Sequence, residues 1–155
     1  MPIRSWHLVI PALGLLLTNP LPPVPARAPG YRLAPRPVTI VARDYTFDAP
    51  DTVAAGPTLL RFENRGTVPH ELVIFGTAPG KSSAAIVAAP TGEDRRSLAD
   101  PPVGVLFAPP GQPASAELVT TLQPGHWYVL FCGLRDTKEM PFHYAMGMVD
   151  SIYAR

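Results

Sequence analysis

A Greek-key β-sandwich of about seven strands is the fold class this sequence predicts, and three observations lead there. The 155 residues include 21 prolines and 12 glycines, too many helix-breaking positions for a helical bundle. Hydrophobic residues make up 46% of the chain, enough to fill a core. Its apolar residues recur in short runs rich in β-branched and aromatic types, separated by turns that carry Gly or Pro.

The first segment reads as an export signal. Met1 to Ala28 has Arg4 near its start, the apolar stretch Leu8 to Leu17, and Ala26-Arg27-Ala28, a small-x-small pattern of the kind signal peptidase cuts. Cleavage would leave Pro29 as the N-terminus and place the protein in the periplasm or outside the cell. A retained membrane anchor is the alternative, but the run is shorter than the roughly 20 apolar residues a spanning helix needs, and it holds Pro11 and Gly14. No cysteine follows it to take a lipid. Removing Arg4 and Arg27 from the 13 basic residues leaves 11 against 12 acidic ones, a net charge of −1 with no basic stripe for nucleic acid.

Residues 29–37 form a Pro- and Arg-containing lead-in, expected to be loosely ordered, and residues 38–155 form a single domain without internal repeats. Val38 to Phe47 reads as the first strand. Ala55-Gly56-Pro57 makes a turn into a strand where Leu60 and Phe62 alternate with polar residues, and Asn64-Arg65-Gly66 turns the chain toward His70 to Phe75. The pattern then lapses. Ser82 to Ala89 can form one or two helical turns, and Thr91 to Pro102 reads as charged loop. Strands resume over Val103 to Ala108 and over Ser115 to Leu122, with Ala116, Leu118, Thr120 and Leu122 on one face. His126 to Cys132 and Met146 to Tyr153 follow. Phe62, Trp127 and Phe131 are expected in the core.

Cys132 is the only cysteine, so it has no intramolecular disulfide partner. In an oxidising compartment it is a buried inert thiol, an intermolecular bridge or a metal ligand. The neighbours favour the last. His143 and Met148 lie across one loop from Cys132, and His70 opens a strand of a distant hairpin. Two imidazoles, a thiolate and a thioether make up the ligand set of a type 1 copper site, with three strong ligands near a plane and a long axial Met. Thiolate and thioether favour Cu(I), whereas imidazole accepts both oxidation states, so little need move when one electron passes. His and Cys also serve zinc, and the residue types alone leave that choice open.

With these residues in view, "VPHELVIF", "LQPGHWYVLFC" and "HYAMGMV", in that order, resemble the cupredoxins, the small blue copper proteins of plastocyanin and azurin type. The likeness runs from about Val38 to the C-terminus and is closest to cupredoxin-like proteins of bacteria. It implies a cupredoxin-like sandwich with one copper ion held by His70, Cys132, His143 and Met148. It also favours Met148 over Met146 as the axial ligand, because the Gly-Met pair belongs to the motif. Two features depart from the pattern. Ten residues separate Cys132 from His143, more than in familiar blue copper loops, and a longer loop costs more closure entropy. Glu71 follows the first His, where many relatives have an Asn or Ser that ties the two ligand loops together.

His126, beside a Pro-Gly turn, reads as solvent-exposed, Met140 as exposed or packed against the site, and Asp136, Lys138 and Glu139 as an ordinary solvated loop. Only His70, His126 and His143 remain beyond the signal, too few for the second copper centre of a multicopper enzyme. The expected function is one-electron transfer between redox partners by a monomeric protein. The alternatives are periplasmic copper binding and delivery, or a metal-free interaction module.

Overall fold

Period-two burial builds the first sheet. The computed structural model describes residues 34–77, 83–88 and 99–155. In β4 (Gly56–Asn64), Thr58, Leu60, Phe62 and Asn64 are buried and Arg61 is exposed, so alternate side chains face the core. β4 pairs in parallel with β1 (Arg36–Arg43) and antiparallel with β7 (Leu118–Leu122), and β2 (Thr46–Asp48) folds back on β1, giving the order β2-β1-β4-β7. The facing sheet has the order β3-β9-β8-β5-β6, from β3 (Thr52–Val53), β9 (Val149–Ala154), β8 (Trp127–Phe131), β5 (His70–Thr77) and β6 (Ala99–Ala108).

Between the sheets Ile40, Leu60, Phe62 and Leu122 meet Leu72, Ile74, Leu106, Leu130 and Ile152, all buried. Gly104 lets the layers close where β6 faces β7: a Cβ there would lie 2.5 Å from Leu118 Cδ2. The two-sheet β-sandwich agrees with the expected fold class, with nine strands among the described residues where about seven were expected. β2 and β3, of three and two residues, account for the difference.

Several boundaries differ from the sequence reading. β1 starts at Arg36, so the last two residues of the lead-in pair with Thr58 and Leu59. The expected strand Val38 to Phe47 is two strands, because the chain reverses at Asp44-Tyr45 and pairs Arg43 with Thr46. β6 begins at Ala99, ahead of the expected Val103. Of its consecutive Pro101 and Pro102, one turns its missing N–H to the open side of this edge strand, and the pair falls where the β5–β6 register shifts around Phe75. Ala116 lies outside β7 and is exposed. Trp127 and Phe131 are half-buried on the outer face of the second sheet. There Trp127 packs on Tyr153 and Phe131 stacks on Phe75 at 5.3 Å.

Within the lapse between β5 and β6, α1 (Ser83–Ala88) is helical and buries Ile86. The proposed signal segment 1–28, most of the lead-in and residues 91–98 of the expected charged loop lie outside the described residues. No helix among the described residues is long and apolar enough to cross a membrane.

Candidate metal centre

One end of the sandwich gathers His70, Cys132 and His143. His70 is the first residue of β5, Cys132 directly follows β8, and His143 opens a 3-10 turn that runs to Met146. All three are fully buried, and their ligand atoms lie within 4.8 Å of one another, close enough for one metal ion to be held by all three. His143 Nδ1 is 3.3 Å from Cys132 Sγ and 3.2 Å from His70 Nδ1, and His70 Nδ1 is 4.0 Å from the sulfur.

Each imidazole turns its other nitrogen to a carboxylate. His70 Nε2 is 2.8 Å from Asp44 Oδ1, and His143 Nε2 is 3.0 Å from Asp136 Oδ1. Asp44 is anchored in turn, since its Oδ2 accepts from the Thr67 N–H at 2.8 Å and the Thr67 hydroxyl at 2.6 Å. Burial works against the Asp44 charge, yet the Thr67 and His70 hydrogen bonds hold its carboxyl at about 2. The Tyr45 hydroxyl donates to Asp136 Oδ2, the leading reason that carboxyl is held below the usual range. Desolvation pushes His70 below the ordinary imidazole range, so it is neutral at pH 7.

The sulfur sits among backbone donors. The Glu71 N–H points at Cys132 Sγ from 3.4 Å, and the Leu134 N–H also bonds to it. Burial nonetheless raises the thiol pKa, so a metal would have to displace its proton. Glu71 also bridges the two ligand segments, with Oε1 accepting from the Gly133 N–H at 2.9 Å. A residue that departs from the cupredoxin pattern thus ties the two ligand loops together itself.

The ten-residue loop is pinched at its base. The His143 N–H donates to Leu134 C=O at 2.8 Å and the Tyr144 N–H to Cys132 C=O at 2.9 Å, so the ligand residues are held at a closed neck while residues 135–142 loop outward. Phe142, 39% exposed, stacks on Tyr144 at 5.4 Å and lies beneath the Arg135 guanidinium at 5.1 Å. Arg135 Nη1 donates to Lys138 C=O within the same excursion.

Met146 and Met148, which an unbroken strand from Met146 to Tyr153 would point the same way, are separated by a change of backbone. Gly147 has φ 110°, a left-handed conformation that favours glycine, and it ends the 3-10 turn. Past it, the Met148 N–H donates to His143 C=O at 3.0 Å and Met148 C=O accepts from the Cys132 N–H at 3.2 Å. Met148 is fully buried in the cluster that contains Cys132, while Met146 and Met140 are half-buried. His126 is half-buried at the opposite end of β8.

Three residues at the site were not expected from sequence. Asp136 is no ordinary loop residue, since its side chain is 17% exposed and engaged by His143 and Tyr45. The signal available was its place in the ligand loop, because metal-bound histidines commonly donate their second N–H to a carboxylate. Asp44 and Tyr45 gave none, being part of an apparent strand far from His70 in sequence. Tyr45 packs over His143, ring centroids 4.7 Å apart.

The donor set fits a metal. Carboxylates accept only, so each Nε2 carries a hydrogen, and in a neutral ring the Nδ1 then presents its lone pair to the buried cleft. The single thiol proton can serve one of them, leaving the other without a donor unless a cation sits between them.

No protein-family model matches the chain, and no curated protein does. Solved structures do match it. Reduced auracyanin from the photosynthetic bacterium Roseiflexus castenholzii is 21% identical over 77% of this chain and 96% of its own, with a TM-score of 0.49. Auracyanin A, a blue copper protein of Chloroflexus aurantiacus, is 20% identical over 79% and 100%, also at 0.49. Rusticyanin from Thiobacillus ferrooxidans is 18% identical over 79% of both chains, at 0.47.

Proposed function

We propose that this chain is an exported one-electron carrier that holds a single copper ion in a type 1 site through His70, Cys132 and His143, with Met148 as the axial ligand. The observation that carries the reading is the convergence of two imidazole Nδ1 atoms and one sulfur from three fully buried residues. The donor types then argue for copper, since a thiolate with two imidazoles and a thioether serves both of its oxidation states. When bound, the ion supplies a one-electron couple.

The chain's part is to hold the ligands still and exclude water. The strand end fixes His70, the Glu71 and Leu134 N–H groups steady the sulfur, and the closed neck of the loop limits the travel of His143. Low reorganisation follows from that restraint. Export rests on the Met1 to Ala28 segment, with the mature chain beginning at Pro29 and no membrane insertion after cleavage. The partner would be a redox protein met transiently by a monomer.

The test is a visible spectrum. Adding Cu(II) to the mature protein should produce an intense sulfur-to-copper charge-transfer band toward the red, and Cys132→Ala should abolish it. A colourless copper complex, or colour that survives loss of Cys132, would overturn the assignment.

A further inference from the structure

Both candidate imidazoles are backed by carboxylates, from unrelated parts of the chain. Asp44 comes from the β1–β2 turn and Asp136 from the ligand loop, and each lies within 3.0 Å of an Nε2 atom. Tyr45 joins the two sides, since it neighbours Asp44 in sequence, bonds to Asp136 and packs on both imidazoles.

We propose that Asp44 and Asp136 are positioning residues that lock His70 and His143 as Nε2–H tautomers and bias the cleft toward a divalent ion over a monovalent one. The inference rests on the metal-site reading above and deepens it. The tautomer part follows from hydrogen-bond inventory, because a carboxylate can only accept and so places the hydrogen on Nε2. In a neutral ring that leaves Nδ1 bare, and the two Nδ1 atoms stand 3.2 Å apart, facing the same cleft. Metal binding then needs no tautomer shift in either ligand.

The bias follows from charge. Once a metal has displaced the thiol proton, the sulfur, Asp44 and Asp136 place three negative charges around one cation, and the Glu71 carboxylate near the sulfur adds to the same sign. A divalent ion leaves an excess of one negative charge and a monovalent ion leaves two. Both histidine rings are fully buried, so water screens the ligating side of the cleft poorly, while Asp44 and Asp136 reach its rim with side chains 24% and 17% exposed. Carboxylates behind the imidazoles also raise the basicity of the ligating nitrogens, which favours the harder divalent state.

Two measurements test this and separate it from the site assignment. In the metal-free wild type, long-range proton–nitrogen correlation of the imidazoles should show His70 and His143 each as a single Nε2–H tautomer. A mixture, or an Nδ1–H form at either ring, would overturn the proposal whether or not the protein binds copper.

The second compares Cu(II) and Cu(I) affinities of the wild type, Asp136→Ala and Asp136→Asn, with unfolding curves confirming that each variant is folded. Asp136→Ala should lower Cu(II) affinity by about 10- to 100-fold and Cu(I) affinity by less. Each tenfold of that difference raises the reduction potential by about 59 mV. Asp136→Asn keeps an acceptor for Nε2–H without the charge, so it should retain the His143 tautomer and still show the raised potential. Equal losses for both oxidation states would overturn the divalent bias. Failure of the wild type to bind copper at all would instead refute the metal-site reading, and the tautomer result would remain decisive for the first part.

Discussion

His70 opens a strand paired on both sides, while His143 stands beyond a ten-residue loop, and the two halves of the cleft are held by different kinds of force. On the His70 side every support is sheet or tight turn. β5 lies between β8 and β6, Asp44 is fixed by two bonds from Thr67, and the buried Asn64 organises the turn before His70. Its Nδ2 donates to Val68 C=O at 2.8 Å and Ala108 C=O at 3.1 Å, and its Oδ1 accepts from the Gly66 N–H. On the His143 side the supports are two backbone bonds at the loop neck, a third from the Met148 N–H to His143 C=O, one carboxylate on the excursion and a stack of surface aromatics. One half is built into the global fold, and the other is clipped onto it. A long loop can therefore place a buried side chain when its neck, and not its tip, sets the position.

The largest effect should come from the sheet-built half. Asn64→Ala removes three hydrogen bonds at a site only 1% exposed, taking a partner from the buried Ala108 carbonyl and from the part-buried Val68 carbonyl and Gly66 N–H. The expected loss is about 3 kcal/mol of folding stability, read by chemical denaturation of the metal-free protein. A loss no larger than that of an exposed substitution would mean that the turn before His70 does not depend on Asn64.

Next in size is Gly66→Ala. A Cβ there would lie 2.1 Å from Asp44 Oδ1 and 3.0 Å from His70 Nε2, so the carboxylate must swing away from the imidazole. Cu(II) affinity should fall by about 10- to 100-fold in competition titrations, with less damage to stability than Asn64→Ala causes. If affinity is unchanged, Asp44 has room to stay and the His70 side is softer than its contacts indicate.

This division also explains what the sequence could disclose. Alternation along Thr58 to Asn64 and along Leu118 to Leu122, with Gly/Pro turns between runs, is a local pattern, and it was enough for the sandwich. His70, Cys132 and His143 were legible because their residue types are rare in this chain and their order matches a motif. The carboxylates behind them were not. Asp44 is hidden in what reads as one strand from Val38 to Phe47, since only the observed pairing of Arg43 with Thr46 makes it a turn. Asp136 reads as a solvated loop residue because nothing local says that the neck folds its side chain back over His143. Contacts between segments distant in sequence, and the Gly147 reversal that separates Met146 from Met148, are properties of the folded chain that no local pattern records.

Glu71 is where the two halves meet, and its removal should have a middling effect. Glu71→Ala deletes the bond from the Gly133 N–H and should cost on the order of 1 kcal/mol of stability. In the copper protein it should also shift the charge-transfer band, because the residue after Cys132 is freed. Glu71→Gln keeps an acceptor and should restore both readings toward wild type. A band that moves as far in Gln as in Ala would assign the effect to charge and leave the tether without a role.

The smallest stability change is expected at the tip of the loop, where the two readings of function separate. Phe142 is partly exposed, stacked on Tyr144 and covered by Arg135, so Phe142→Ala should cost only about 0.5–1 kcal/mol. Its consequence depends on whether the neck alone restrains His143. If the bonds at Leu134 and Cys132 suffice, copper should survive repeated reduction and oxidation in the variant as in wild type, as an electron carrier requires. If the aromatic stack is needed as well, reduction should release His143, since Cu(I) is content with sulfur ligands. A competing Cu(I) chelator would then strip the variant faster than wild type. Rapid stripping of the wild type itself would favour copper delivery, because a site that lets go on reduction suits handover and not cycling. The closed neck leads us to expect retention in both proteins, measured as the fraction of charge-transfer absorbance recovered after successive redox cycles in the presence of chelator.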